Sequence, residues 1–252
     1  MKLIILAGGE GRRLRPLTDE KPKCMVEVYG RPMIDHILDV SANAGFSDIA
    51  VVSGYKSEVL HNHLKDRGIT FFFNERFSTT NMVETLFCAS SFAEGDDVII
   101  SYSDIIYNPE IMQKLCSAAG DMQVVVDTQW QKLWQMRMED PLKDAETMKI
   151  ENGRIVELGK KPEKMEDIQG QYIGLIRMSP ETFKKAKEIY RKALQDSPDA
   201  VKMYMTDLLQ SLIDTGVPAV PVFINGGWLE VDSAEDLEAY QNNTELQKSI
   251  TG

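Results

Sequence analysis

The chain has 252 residues, of which 43% are hydrophobic and 27% are charged, as in ordinary soluble globular proteins. Its 28 lysines and arginines against 39 aspartates and glutamates give a net charge of −11, so the average surface repels nucleic acid and anionic lipid. Cys24, Cys88 and Cys116 lack a C-x-x-C pair, which favours reduced thiols over a disulfide framework or a zinc site. No apolar run reaches the roughly 18–20 residues of a membrane span. We therefore expect a cytoplasmic protein that binds neither nucleic acid nor membrane.

The first half of the chain alternates short apolar runs with helical patterns. Strands are predicted at KLIILA, DIAVVSG, ITFFFN and DDVIISYSD. Helices are predicted at PMIDHILDVSANAG, SEVLHNHLKDRG and NMVETLFCASSF, the first two ending at Gly45 and Gly68. This alternation is typical of βαβ units and predicts a mostly parallel sheet with helices on both faces.

The pattern changes from Met122 onward. Strands are predicted at MQVVVDTQW, GQYIGLIRM and AVPVFINGGWLEVDS, and a hairpin at TMKIENGRIVELG with its turn at Asn152–Gly153. Helices are predicted from Pro180, around Met203–Asp214, and at AEDLEAYQNN after Ser233. Because no repeat or linker separates the halves, we predict one α/β domain over residues 1–252, with a Rossmann-like, mixed and mostly parallel sheet.

The first predicted strand leads into an opening loop, ILAGGEGRRLRPLTDEKPKCM, that combines three glycines with a run of cations. Glycines after the first strand of a parallel sheet expose backbone N–H groups to an anion, and adjacent cations reinforce them for a polyphosphate. Neither the dinucleotide motif G-x-G-x-x-G, whose third position is Leu14, nor the Walker A motif is present. The alternative is an ordinary tight turn flanked by solvated charges.

The segment L-A-G-G-x-G-x-R-L-x-P-L-T, followed by K-P-K-C-M-V-E-V-x-G-R-P-M-I, resembles the signature of the sugar-phosphate and choline-phosphate nucleotidyltransferases. The resemblance spans essentially the whole chain, is closest to the phosphocholine/phosphonate cytidylyltransferase branch, and implies the nucleotide-diphospho-sugar transferase fold. It implies that Arg13 and Lys23 hold and polarise a nucleoside triphosphate. The residues that it places against the nucleotide in this loop are Leu6, Ala7, Gly8, Gly9 and Gly11. Arg12 replaces the threonine or serine usual in the family.

Two aspartates are candidate ligands for the Mg²⁺ that accompanies a nucleoside triphosphate. Asp104 ends the strand VIISYSD, at the carboxyl edge where α/β sites are built. Asp232 lies in GGWLEVDSAEDL, where Glu230 and Trp228 would share its face of an extended segment. Both aspartates could instead cap a turn or helix. The resemblance to the family's metal motifs favours Asp104 and Asp232 as ligands, with Glu230 as a weaker third.

The segment FNERFSTTNMVETLFCA resembles the part of the phosphocholine branch that recognises base and ribose. Asn74, Thr80 and Asn81 carry the donors and acceptors that a pyrimidine edge requires. Thr80 and Asn81 are equally good helix caps. That the base is cytosine, and the nucleotide CTP, follows from the resemblance alone.

The second half is predicted to bind the acceptor. In LGKKPE, Lys161 matches the family's lysine near the acceptor phosphate and is predicted to be catalytic, whereas Lys160 replaces a glutamate that holds sugars. Aromatic side chains could form walls against an amine or a quaternary ammonium, although core packing is at least as good an interpretation of each. The predicted acceptor-binding residues are Trp130, Trp134, Tyr172, Gly174, Trp228 and Glu230.

We therefore expect a Mg²⁺-dependent cytidylyltransferase whose residues 1–121 form the nucleotide-binding half and bind CTP, and whose residues 122–252 form the half that binds a small phosphate or phosphonate, such as phosphocholine or an aminoalkyl phosphonate. The acceptor could instead be a phosphorylated amino-acid derivative, with Arg137 or Lys160 binding its carboxylate. The chain could also be a sugar-1-phosphate nucleotidyltransferase or a non-catalytic nucleotide-sensing subunit, and a homo-oligomer is left open. The opening loop is expected to contribute little to stability, so Arg13→Ala and Lys23→Ala should unfold near the wild-type temperature.

Overall fold

The computed structural model describes residues 1–241 and 243–251, which form thirteen strands and nine α-helices. The strands are β1 (Lys2–Ala7), β2 (Glu27–Val28), β3 (Arg31–Pro32), β4 (Ile49–Ser53), β5 (Thr70–Phe73), β6 (Val98–Tyr102), β7 (Ile105–Tyr107), β8 (Met122–Asp127), β9 (Met148–Glu151), β10 (Arg154–Leu158), β11 (Gln171–Met178), β12 (Ala219–Ile224) and β13 (Trp228–Glu230). The helices are α1 (Met33–Asn43), α2 (Ser57–Leu64), α3 (Met82–Cys88), α4 (Pro109–Ser117), α5 (Trp130–Arg137), α6 (Pro180–Asp196), α7 (Met205–Asp214), α8 (Ala234–Gln241) and α9 (Thr244–Thr251).

Nine strands form one sheet that includes both halves of the chain, in the order β5-β4-β1-β6-β11-β8-β12-β10-β9. β5, β4, β1 and β6 are parallel, as are β8 and β12. β11 runs antiparallel between β6 and β8, and the hairpin β9–β10 adds an antiparallel edge. The predicted mixed, mostly parallel sheet is confirmed.

Helices cover both faces of the sheet, because successive β1 side chains enter two different cores. Leu3 and Ile5 belong to the core on the side of α1 and α4, whereas Ile4 and Leu6 belong to the core with α3, α6 and α7. A strand that is buried on both faces reads as a continuous apolar run, which explains KLIILA. None of the described helices is long and apolar enough to span a membrane.

Two elements of the second half differ from the sequence prediction. The strand predicted at MQVVVDTQW ends at Asp127, whose Oδ1 accepts hydrogen bonds from the backbone N–H groups of Gln129 (2.8 Å) and Gly226 (2.9 Å), and the tryptophan that follows begins α5. The strand predicted at AVPVFINGGWLEVDS is divided at its glycine pair into β12 and β13, and β13 pairs with β7. The last predicted helix included Asn242, which lies outside the described residues.

Candidate active site

A cavity of about 140 Å³, here called the loop pocket, lies where β1 and β6 end beside the N-terminus of α3. Predicted residues from three separate segments meet there, since the carboxyl ends of parallel strands lie at one edge of a sheet. The lining residues are Leu6, Gly8, Gly9, Lys23, Phe77, Thr80, Asn81, Met82, Thr85, Tyr102, Ser103 and Asp104.

Three residues predicted to touch the nucleotide do not line the loop pocket. Ala7 is buried at 2% exposure. Asn74 is equally buried, and its Nδ2 donates to the hydroxyls of Thr80 and Thr85 at 3.0 Å each. Asn74 therefore positions two residues that line the loop pocket. Gly11 has a φ of +62°, and a Cβ there would lie 3.0 Å from Cβ of Lys23. Glycine at this position therefore lets the Lys23 side chain pass.

Asn81 combines the two roles that the sequence left open. Its side-chain oxygen caps α3 by accepting from the N–H of Met82 at 2.9 Å, and its Nδ2 donates to the carbonyl of Lys202 at 3.3 Å. The same residue lines the loop pocket. The cap therefore fixes the orientation of a pocket-lining amide.

Lys23 forms the centre of a charged cluster at the inner end of the loop pocket. Its Nζ donates to Asp104 Oδ2 at 2.6 Å and to Asp232 Oδ1, and only 12% of its side chain is exposed. Arg13 is 67% exposed, and its Nη2 lies 3.3 Å from the same Asp232 oxygen. Burial disfavours the Lys23 charge, but the carboxylates of Asp104 and Asp232 outweigh it and raise the pKa of Lys23. Burial likewise disfavours the Asp232 charge, yet Lys23 and Arg13 hold the pKa of Asp232 below its usual value.

The cluster suits a divalent cation as well as an ammonium group. Asp104, Glu230 and Asp232 each offer a carboxylate oxygen, and these oxygens lie within 4.8 Å of one another. Oδ1 of Asp104 is buried and has no hydrogen-bond partner among the described residues. Carboxylate oxygens grouped in this way, one of them unpaired, fit a hard cation such as Mg²⁺. A cation bound there would compete with Lys23 for Asp104 and Asp232.

Arg137, at the end of α5, holds the acidic side of this cluster in place. Its side chain is 2% exposed and reaches three carboxylates: Glu230 Oε2 at 2.7 Å, Asp232 Oδ2 at 3.2 Å and Asp236 Oδ1 at 3.1 Å. Asp236 also accepts from the backbone N–H of Asp232 at 2.8 Å. The guanidinium therefore fixes both side chain and backbone at Asp232.

We expect replacement of Arg137 by lysine or methionine to weaken divalent-cation binding by about 10- to 100-fold, the usual effect of losing a group that orients metal ligands. Manganese titration followed by electron paramagnetic resonance measures this without turnover. Arg137→Lys should lose less than Arg137→Met. Arg177→Lys is the control, since Arg177 is a mostly buried arginine bound to Asp97, away from the cluster. Equal manganese affinities in all variants would contradict the role given to Arg137.

A second cavity of about 180 Å³, here called the acidic pocket, adjoins the loop pocket, with which it shares Met82 and Tyr102. Its lining residues are Met82, Tyr102, Trp134, Asp144, Glu146, Gln171, Tyr172, Tyr204, Met205, Thr206, Glu230 and Asp232. The lining includes four carboxylates and no lysine or arginine among the described residues. The two pockets therefore meet at Tyr102, beside the cluster of Lys23, Asp104 and Asp232.

Gly174 makes room for the Tyr102 ring at the junction of the two pockets. It has a φ of +86°, and a Cβ there would lie 2.5 Å from the Tyr102 ring. Tyr102 in turn contacts the ring of Tyr172 edge-on, with the centroids 5.7 Å apart. Gly174 was predicted to touch the acceptor, but in the structure it makes room for Tyr102.

The predicted aromatic walls are only partly present. Tyr172 and Trp134 line the acidic pocket, but Trp130 and Trp228 do not, and both are 2% exposed. Their ring centroids lie 5.6 Å and 6.0 Å from that of Trp134, and Trp228 Nε1 donates to Asp127 at 2.9 Å. As acceptor contacts, Trp130 and Trp228 stay predictions that their burial does not favour, because both rings pack in the core beside Trp134.

The cations predicted to meet the acceptor also lie elsewhere. Lys161 is exposed and lines neither pocket. Lys160 pairs with Glu157 at 2.5 Å, and Arg137 is fully engaged by three carboxylates. Arg137 is therefore not available to an acceptor carboxylate in this structure, whereas Lys160 is 63% exposed and lines neither pocket.

Two residues of the site were not predicted from the sequence, and a third was assigned to another role. Asp144 and Glu146 lie in the polar segment between α5 and β9, which has no periodicity to distinguish them from surface acids. Arg137 was considered only as a partner for an acceptor carboxylate, whereas in the structure it binds three carboxylates of the protein. No motif in the sequence indicates that role.

Comparison with known proteins identifies the family. The chain matches the Nucleotidyl transferase family over residues 2–247. It is 44% identical over 248 residues to the CTP:phosphoglutamine cytidylyltransferase of Campylobacter jejuni, covering 94% of this chain and 98% of that protein. It is 36% identical to the choline-phosphate cytidylyltransferase of Streptococcus pneumoniae over 88 residues, which are 34% of this chain and 38% of that protein.

Solved structures show the same fold at low sequence identity. The inositol-1-phosphate CTP transferase from T. maritima superposes with a TM-score of 0.77 at 19% identity, covering 99% of this chain and 94% of that one. The CTP:phosphocholine cytidylyltransferase from Streptococcus pneumoniae gives a TM-score of 0.75 at 18% identity, covering 94% and 96%. With its glycine loop, its Lys23–Asp104–Asp232 cluster and a family match over almost its full length, this chain belongs to the nucleotidyl transferase family.

Proposed function

We propose that this protein transfers CMP from CTP to a small phosphorylated acceptor and releases pyrophosphate. The observation that carries the proposal is the meeting of the loop pocket and the acidic pocket at Lys23, Asp104 and Asp232. An enzyme that joins two phosphates must hold both beside one set of neutralising charges, because positioning and electrostatics supply most of the rate.

The loop pocket is the proposed CTP site. All of its lining residues come from residues 1–121, the predicted nucleotide-binding half. The glycines after β1 offer backbone N–H groups to phosphate, and Thr80 and Asn81 offer polar groups to the base and ribose. The choice of cytosine is supported by the names of the two sequence relatives, both cytidylyltransferases.

The acidic pocket is the proposed acceptor site, built mostly from residues 122–252. The near full-length relative at 44% identity supports a phosphorylated amino-acid derivative such as phosphoglutamine. Phosphocholine is supported by a match to only 34% of the chain. A hexose-1-phosphate is disfavoured, because Lys160 stands where the resemblance would place the sugar-holding glutamate.

The reaction is an in-line displacement without a covalent enzyme intermediate. An oxygen of the acceptor phosphate attacks the α-phosphorus of CTP, and the bond from that phosphorus to the β-phosphate oxygen breaks, so that pyrophosphate leaves. Lys23 and Arg13 neutralise the charge of the triphosphate, and Lys161 remains a predicted contact of the acceptor phosphate. Held by Asp104 and Asp232, Mg²⁺ would supply further neutralisation of the phosphate oxygens.

A pyrophosphate-release screen tests the proposal. The four ribonucleoside triphosphates are combined with phosphoglutamine, phosphocholine, 2-aminoethylphosphonate, inositol-1-phosphate and glucose-1-phosphate. We expect turnover with CTP and an amine-bearing acceptor. Higher turnover with glucose-1-phosphate would favour a sugar-nucleotide enzyme. Nucleotide binding without any pyrophosphate release would favour the sensing subunit.

A further inference from the structure

The acidic pocket contains two kinds of carboxylate. Glu230 and Asp232 are paired with Arg137, and Asp232 also with Lys23 and Arg13. Asp144 and Glu146, which also line the pocket, have no ion-pair partner in the described part of the chain. One end of the cavity is therefore charge-compensated, and the other presents negative charge to whatever enters.

The uncompensated end is built to accept hydrogen bonds. Asp144 is held by Trp134 Nε1, which donates to its Oδ2 at 3.1 Å. The Tyr172 hydroxyl is buried and, apart from its interaction with Tyr102, has no hydrogen bond of ordinary geometry among the described residues, and Tyr172 lines the same cavity. A polar atom buried without a partner is costly, so a ligand that supplies one is favoured.

The aromatic surface here is poorly disposed toward a quaternary ammonium. Trp134 is 4% exposed, and the Arg137 guanidinium already lies over its ring, 5.4 Å from the centroid. Tyr102 and Tyr172 contact each other edge-on. A trimethylammonium group needs free aromatic faces, whereas a primary ammonium donates N–H bonds to carboxylates.

We propose that Asp144 and Glu146 bind a primary ammonium group of the acceptor. The acceptor phosphate then lies at the opposite end of the acidic pocket, where Asp232 is paired with Lys23. This inference rests on the proposed function and narrows it. The acceptor class becomes a small phosphate or phosphonate with a free primary amine, such as an amino-acid derivative with an unmodified α-amine. Phosphocholine falls outside the class.

We expect the affinity for an amine acceptor to depend on pH, because Glu146 titrates near neutrality. Burial, followed by the nearby charges of Asp207 and Asp144, raises the pKa of Glu146 to about 7, although a hydrogen bond from Thr206 works against this. Tyr102 and Tyr172 face the same carboxyl and are neutral throughout this range. Burial, followed by the charge of Asp232, also raises the pKa of Glu230 to about 7 at the other end of the cavity, so the Glu146→Gln variant is needed to assign the pH dependence. Below pH 7 Glu146 is protonated and attracts an ammonium weakly, and above pH 7 it is ionised. Affinity for an amine acceptor should therefore rise with pH through about 7.

The test compares acceptors that differ only in the amine. Phosphoglutamine, phosphoethanolamine and 2-aminoethylphosphonate are each assayed with CTP beside an analogue that has hydroxyl in place of the primary amine, and phosphocholine is included. We expect the best amine acceptor to exceed its hydroxyl analogue and phosphocholine in kcat/KM by about tenfold or more, the usual effect of a charge-assisted hydrogen bond. The preference should grow between pH 6 and pH 8.

Glu146→Gln should remove most of this preference and its pH dependence. Asp144→Asn is the second variant and should give a smaller loss, and Glu151→Gln, an exposed glutamate of β9, is the matched control that keeps the preference. Faster turnover of phosphocholine or of the hydroxyl analogues, or an unchanged preference in both pocket variants, would overturn the inference alone. Absence of pyrophosphate release with every pair would overturn the proposed function, and the inference with it.

Discussion

Replacing Lys23 by alanine or methionine is expected to lower the rate of CMP transfer by about 10²- to 10³-fold, the usual cost of losing one preorganised charge at a reacting centre. Lys23 is the cation that reaches both the loop pocket and the two aspartates, so its loss removes charge neutralisation where the triphosphate would react. Steady-state pyrophosphate release measures this effect. Lys65→Ala, which changes an exposed lysine just after α2, is the control and should retain full activity.

The same substitution should also affect folding, contrary to the expectation from the sequence. Without the ammonium, Asp104 loses its ion-pair partner and Asp232 keeps only Arg13 and Arg137, so the free energy of unfolding should fall by about 1–3 kcal/mol at neutral pH. Thermal unfolding with and without Mg²⁺ checks this, because a divalent cation held by the freed carboxylates should restore part of the loss. Arg13→Ala should unfold near the wild-type temperature, since its side chain is 67% exposed. A Lys23→Ala protein as stable as the wild type without Mg²⁺ would mean that the buried pairing contributes nothing.

Replacing Asp104 or Asp232 by asparagine is expected to lower activity by about 10²-fold or more, with little change in the unfolding temperature. Asparagine keeps the shape of the side chain and removes the charge that a cation requires. Folding should be spared because Lys23 retains the other aspartate as a partner in each variant. The two variants should also bind manganese more weakly than the wild type in a titration without acceptor.

Asp199→Asn is the matched control for this pair, since the Asp199 side chain is 87% exposed and pairs with Lys202, away from both pockets. It should leave both manganese affinity and turnover unchanged. Near wild-type activity of Asp104→Asn or Asp232→Asn at ordinary Mg²⁺ concentration would remove that residue from the metal site.

Local patterns in the sequence were sufficient for the fold class and for several residues that line the loop pocket. Continuous apolar runs such as KLIILA separated by helical patterns are typical of a sheet that is covered on both faces. The glycine loop and Asp104 follow the parallel strands β1 and β6, and topology brings such strand ends together whatever the intervening loops do. Lys23 lies further along the opening loop, and the resemblance to the family indicated it.

The acceptor side depended on tertiary structure, because there the direction of each side chain is set by distant contacts. Trp228 faces the core because Asp127, far away in the sequence, accepts its indole N–H, and Trp130 turns inward with α5. The sequence offered Arg137 only as a partner for an acceptor carboxylate, whereas in the structure three carboxylates from the chain's last segments surround it. Glu146 differs from any surface glutamate only in its burial beside Asp207 and Asp144. The sequence by itself determined a family, a fold class and a loop rich in glycines and cations, whereas long-range packing decided which charges line the acidic pocket.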